Sequence, residues 1–153
     1  MYAHDEKKES DLTIAFGKPG DLNKIEKFKI LSKILIIEND DNISVLFKDI
    51  INNLKFKYNV IDDLIIDCCN DCNIICQMID LIEYDIIFMD LNICDINGIS
   101  LVKLLRNKYF NKKIIGTTTD IEHKNKKNKI IDLFDDIILK PFDENIILRN
   151  LKY

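Results

Sequence analysis

The sequence predicts an α/β domain built on a five-stranded parallel sheet with helices on both faces, and three observations lead there. Short apolar runs alternate with longer stretches whose apolar residues recur every three or four positions, the period of a helix packed on a sheet. The runs are near-continuous rather than alternating, which suits strands buried on both faces. Four of them stop abruptly at polar side chains: Ile34–Ile37 at Glu38-Asn39-Asp40-Asp41, Ile86–Met89 at Asp90, Ile114–Thr117 at Thr118-Thr119-Asp120, and Ile137–Leu139 at Lys140-Pro141. With right-handed crossovers those four ends lie along one sheet edge, where open α/β sheets hold their ligands.

Taken in order, residues 1–32 read as an N-terminal tail, of which 1 to about 20 are charged, contain Gly17-Lys18-Pro19-Gly20 and hold no sustained apolar period. Within it, 21–31 has the spacing of a short helix, with Asp21 as cap and Leu22, Ile25, Phe28 and Leu31 recurring. The domain proper then spans 33–153. Strand one is Ile34–Ile37. Helix one, about Asn42–Leu54, sets Ile43, Leu46, Phe47, Ile50 and Leu54 on one stripe. Strand two lies within Phe56–Cys68, more chain than one strand needs, so a long loop and a small hairpin both stay open. Helix two is predicted over Asn73–Ile82 and strand three over Asp85–Met89. Gly98 permits a tight turn before helix three, Ser100–Lys108. Strand four is Lys113–Thr117, helix four Ile121–Phe134 and strand five Asp136–Leu139. A final helix, Glu144–Leu151, is capped by Asp143.

A chain of 153 residues is naturally one domain and long enough to bury a real core. With 22 basic against 26 acidic residues, the net charge of -4 gives no global attraction to nucleic acid or to an anionic membrane. The lysines 124, 126, 127 and 129 read as a solvated helix face, because no aromatic side chains interleave with them. No apolar run approaches a membrane span, and the charged N-terminus does not read as a signal peptide, so a cytoplasmic location is expected. Thirty Ile, sixteen Asn, and twenty Lys against two Arg point to an AT-rich coding sequence, which lowers the information carried by any single Ile, Asn or Lys. Four of the five cysteines crowd into Cys68, Cys69, Cys72 and Cys76. With no His beside them they read as small hydrophobes, Cys76 sharing a helix face with Ile79.

A carboxylate at the end of a buried strand is expensive unless something is bound there. Here an acidic cluster, Asp90, Thr118 and Lys140 converge on one edge. No glycine-rich phosphate loop accompanies them.

Over Lys33 to Tyr153 these residues resemble the receiver domain of two-component response regulators. The resemblance rests on the acids after strand one, the Asp90-Leu91-Asn92 to Gly98 pattern, Thr118 after strand four and Lys140-Pro141-Phe142 after strand five. The 22-residue step from Thr118 to Lys140 also fits. It implies the strand order 2-1-3-4-5 and a cis Lys140–Pro141 bond. It further implies that Asp90 is the phosphoacceptor, served by a histidine kinase or histidine phosphotransfer protein and acting on an unknown output protein. Mg2+ would be held by Glu38, Asn39, Asp90 and the backbone carbonyl of Asn92, while Thr118 and Lys140 bind the transferred group. Neither His4 nor His123 has a helical setting suited to a relay, so the donor is another protein.

The chain departs from the family pattern at Asn39, where an Asp is usual, at Cys94, at Leu133-Phe134, and at Ile137, where an aromatic or His is common. With no ring at Ile137 to rotate, switching is expected to run through Thr118 and the loop Thr119–Lys126. The rival reading is a pseudo-receiver, a phosphorylation-independent interaction module. An aspartyl-nucleophile phosphatase fits worse, since the acid motif of those enzymes follows their first strand rather than the third.

Overall fold

The computed structural model describes residues 32–58, 64–93, 96–109, 111–122 and 131–152. The tail and the helix expected at 21–31 lie outside them, as do Cys94, His123 and the lysine-rich middle of the predicted fourth helix. Five strands, β1 (Lys33–Ile37), β2 (Ile65–Cys69), β3 (Ile86–Asp90), β4 (Lys113–Thr118) and β5 (Asp136–Leu139), form one sheet in the order β2-β1-β3-β4-β5. Every pairing is parallel. The described helices are α1 (Asp41–Tyr58), α2 (Cys72–Leu81), α3 (Ile96–Lys108) and α4 (Glu144–Leu151). None is long and apolar enough to cross a membrane.

Alternation along each strand feeds two cores. Leu35, Ile37, Ile87, Met89, Ile114 and Ile137 pack with Ile75 and Ile79 of α2 and with Leu101, Val102 and Leu105 of α3. Their neighbours Ile34, Ile36, Ile86, Phe88, Ile115 and Ile138 pack with α1 and α4 through Phe47, Ile51, Leu54, Ile147 and Leu151. Being covered on both faces, the central strands carry uninterrupted apolar runs, which is why they were legible.

The boundaries differ where packing does not dictate the period. Helix α1 continues to Tyr58, so Phe56 belongs to it and not to strand two. Phe56 is 84% exposed there, while Lys55 and Lys57 place positive charge against the negative end of the helix dipole. Strand β2 takes the last part of the ambiguous stretch and runs one residue past it, to Cys69. It is an edge strand paired with β1 alone and only half-buried. Its Asp67 accepts the Tyr84 hydroxyl at 2.7 Å. Helix α3 begins at Ile96, which puts Gly98 inside its first turn, buried, rather than in a turn ahead of it. Of the predicted fourth helix, Ile121 and Glu122 are helical, whereas Ile131–Leu133 is a 3-10 turn that ends before Phe134. Asp71 and Asp143 cap α2 and α4 by accepting the Asn73 and Asn145 N–H groups at 2.8 and 2.7 Å. Cys69, Cys72 and Cys76 pack against the α2 side of the core.

Two polar clamps hold the ends of the sheet opposite the site. Arg106, one of two arginines, donates to the Leu133 carbonyl through Nε at 2.8 Å and pairs with Asp135 at 2.9 Å. Asp85 accepts the N–H groups of Ser32 and Lys33 on one oxygen, at 3.1 Å each, and lies 3.7 Å from Lys112 Nζ on the other. Burial pushes the Asp85 carboxyl up, but the hydrogen bonds from Ser32 and Lys33 and the Lys112 charge together outweigh it and hold it below the usual carboxylate range. A depressed pKa stabilises the fold at pH above the unfolded value of about 3.9. That contribution is lost as the pH falls through the lower, folded value. Asp85→Asn keeps an acceptor and loses the charge, so urea melts at neutral pH should show a loss of about 1 kcal/mol. The gap from wild type should shrink in acid; a gap constant with pH would assign it to shape rather than charge.

Candidate functional site

Register brings the strand ends level. Ile37 lies opposite Met89, Asp90 opposite Thr117 and Thr118 opposite Leu139. Glu38 and Asp90 therefore stand side by side, with Thr118 at the end of β4 and Lys140 just past the end of β5. Three of the sequence-predicted residues meet directly: Lys140 Nζ is 2.5 Å from Glu38 Oε2 and 3.1 Å from Asp90 Oδ2. All are secluded, with Glu38 5% and Asp90 3% exposed.

Two carboxylates this deep are costly unless paired and hydrogen-bonded. Lys140 supplies the charge and the backbone supplies the rest. Asn92 N–H donates to Asp90 Oδ1 at 2.9 Å, and Asp40 N–H donates to Glu38 Oε1 at 3.0 Å. Burial pushes the Glu38 carboxyl above its ordinary value; the Lys140 and Asp40 hydrogen bonds oppose this and the neighbouring Asp90 charge adds to it.

Lys140 is fixed from both sides. Its N–H donates to the Thr118 carbonyl at 2.8 Å, and the bond that follows, Lys140–Pro141, is cis, as expected. Beyond it the Phe142 ring meets Phe47 with centroids 4.4 Å apart, and Phe47 in turn meets Phe88 of β3 at 4.7 Å. This aromatic chain ties the lysine loop to the strand that carries Asp90.

The remaining predicted residues sit around this centre. Thr118 is fully buried at the end of β4, one residue later than the expected strand, and its Oγ1 accepts the Asp120 N–H at 3.0 Å. Asn92 is exposed and reaches Asp90 through its main chain. Asn39 is exposed at the strand end. Its neighbour Asp40 is committed as the cap of α1, accepting the N–H groups of Asn42 and Ile43 at 2.9 and 3.3 Å. Ile137 is buried in the core.

Gly116 is a residue that sequence reasoning passed over. A Cβ there would lie 3.1 Å from Leu91 Cδ2 and 3.3 Å from Ile137 Cγ1. Its absence lets Leu91 lie across β4 and seats the turn that follows Asp90. A lone Gly within a buried strand is the available signal for such a close approach. Beside the centre, a cleft of about 290 Å3 opens between α1 and the end of β2, lined by Glu38, Asp41, Ser44, Lys48 and Cys69 among others.

The family description "response regulator receiver domain" matches residues 34–152. The chain belongs to that family. Among solved structures, a CheY-like receiver domain from Methylobacillus flagellatus is 26% identical, with a TM-score of 0.61, covering 79% of this chain and 98% of that one. The response regulator TrrA from Thermotoga maritima, in complex with Mg(2+)-BeF, is 19% identical with a TM-score of 0.62 over 79% of this chain and 96% of its own. A chemotaxis response regulator of Vibrio cholerae is 18% identical with a TM-score of 0.63 over the same shares. The last two likenesses speak to the fold alone. No curated protein matches the chain significantly. As a receiver domain of the two-component class, the chain places its buried acid–lysine centre at the strand edge where α/β sheets bind ligands.

Proposed function

We propose that this receiver domain accepts a phosphoryl group on Asp90 from a phosphohistidine of a histidine kinase or phosphotransfer protein. The observation that carries the reading is the Lys140 ammonium held between two buried strand-end carboxylates. In the transfer, an Asp90 carboxylate oxygen forms a bond to phosphorus as the nitrogen–phosphorus bond of the donor breaks, and the freed imidazole takes up a proton. Such a reaction needs positioning and neutralisation of charge more than covalent assistance. Asn92 N–H aims the Asp90 carboxylate, Lys140 offers positive charge to the incoming oxygens, and the Thr118 hydroxyl is the second proposed donor.

The donor set suits Mg2+. It consists of hard oxygens with only two carboxylates, the sparse arrangement in which that ion retains waters. Among the described residues no cluster of three or more His, Cys, Asp or Glu is placed to hold a metal. Glu38, Asp90, the Asn39 amide and the Asn92 carbonyl would hold the ion, which when bound supplies charge neutralisation at the phosphoryl oxygens. TrrA, which shares the fold, is described in complex with Mg(2+)-BeF, and the proposal carries that cation over to this chain.

The rival, an interaction module independent of phosphorylation, draws on Asn39 and on Ile137, which has no ring to reorient. Mass spectrometry separates the two. A small acyl phosphate with Mg2+ should add one phosphoryl group to the wild-type chain, and chelation of Mg2+ should suppress it. A chain that stays unlabelled under donor excess would favour the module.

A further inference from the structure

Helix α2 carries a second apolar stripe that the described residues leave largely open. Ile75 and Ile79 face the core, while Ile74, Met78 and Leu81 recur at the i, i+4, i+7 spacing of one helix flank. Ile74 is 49% and Leu81 85% exposed. Asp80 pairs with Lys108 of α3 at 2.6 Å, so the stripe lies on the flank turned away from α3 and overhangs the edge strand β2. Ile65, the first residue of β2, is 46% exposed. It stands on the face that α2 covers, because Ile66 and Cys68 pack on the α1 face and Cys69 on the α2 face. We infer that residues 21–31 dock as a helix along this flank, Leu22, Ile25 and Phe28 covering Ile65, Ile74, Met78 and Leu81.

Attachment, length and charge select this occupant. The segment ends directly before Ser32, whose carbonyl accepts the Ile65 N–H at 2.7 Å and whose own N–H donates to Asp85 at 3.1 Å. It is therefore anchored at the foot of the surface. Eleven residues span about 16 Å as a helix, against about 10 Å from Ile74 to Leu81. Both helices would run toward the foot of the sheet, since each leads into a rising strand. Residues 21–31 hold Lys24, Lys27 and Lys29 against Asp21 and Glu26, whereas 71–83 hold Asp71, Asp80 and Glu83 and no Lys or Arg. Eleven residues are too few to keep a helix in water by themselves, so this one needs a surface. Four apolar side chains, in turn, fall short of the roughly 800 Å2 a side that separate chains bury in a stable complex. Attachment at Ser32 makes up the difference by raising the effective concentration of the segment. The inference uses neither Asp90 nor a metal and stands apart from the phosphoryl-transfer reading.

The test is hydrogen–deuterium exchange with mass spectrometry on the full chain, for wild type, Phe28→Asp, Leu81→Asp and Val45→Asp. Phe28 precedes the domain, and Leu81 and Val45 are 85% and 58% exposed, so none of the three substitutions should disturb the core. Val45 lies on α1, across the sheet from α2, and serves as the control. Wild-type amides of 21–31 should exchange about tenfold more slowly than an unstructured chain of the same sequence. That protection should vanish in both Phe28→Asp and Leu81→Asp and persist in Val45→Asp. Ile74→Asp, on the same stripe, should reproduce Leu81→Asp, which separates a lost contact from a local defect at the end of α2. Exchange of the wild-type segment at the unstructured rate would overturn the docking, as would protection that survives Leu81→Asp and Ile74→Asp. Equal loss in Val45→Asp would also overturn it. Protection that falls on dilution, together with a dimer in sedimentation, would give the flank to a second copy and overturn the tethered occupant.

Discussion

Asp90→Asn should take up no phosphoryl group under conditions in which the wild type takes up one. The expected loss is complete because the substitution removes the attacking oxygen anion and little else. Asparagine has the same shape and can keep the Asn92 N–H bond now made at 2.9 Å. Lys140 retains its shorter bond to Glu38, so the variant leaves no buried ammonium unpaired. Removing a negative charge from a centre with two acids and one base should not unfold the domain, and circular dichroism melting would establish that both proteins are native when labelled. Equal labelling of wild type and variant would move the acceptor elsewhere and end the assignment. Glu38 would then be the next residue to test, since it shares the edge and the lysine.

The sheet was legible because its strands are buried on both faces. Ile34–Ile37, Ile86–Met89 and Ile114–Thr117 carry apolar runs that no other element would use, and they fixed three of the five strands closely. The site followed from the same runs, since each ends at the polar residue that the register brings to the edge. What stayed hidden was set by forces with no sequence period. Strand β2 sits at the edge, half-exposed and interrupted by Asp67, whose partner Tyr84 is seventeen residues away. Helix α1 extends to Tyr58, past the predicted end at Leu54, and its added residue Phe56 is exposed, so the apolar stripe gave no sign of the last turn. The pairing of Lys140 with Glu38 spans 102 residues, and only the fold could show that the lysine lies nearer this acid than Asp90. The cap formed by Asp40 is likewise invisible in an acidic run, where any of three neighbouring residues could have faced the centre.

Asn39→Asp is expected to tighten Mg2+ binding by about tenfold, or roughly 1.4 kcal/mol. The amide oxygen is a neutral ligand for a hard cation, and ligand charge carries much of the affinity of such sites. An added unit charge about 4 Å from another unit charge is worth about 4 kcal/mol at an effective dielectric near 20. The exposure of position 39 and salt screening cut that figure to a fraction. Asp40 is turned toward the start of α1, whose Asn42 and Ile43 N–H groups both donate to its Oδ1. Asp41, by contrast, is the first residue of α1 and lines the adjoining cleft. Titration with Mg2+ of the wild type, Asn39→Asp and Asp41→Asn separates these positions. A tenfold gain in the first variant with little change in the second places residue 39 at the cation. No change in Asn39→Asp, with a loss in Asp41→Asn, would shift the metal toward the cleft and show that Glu38 faces it in the company of Asp41.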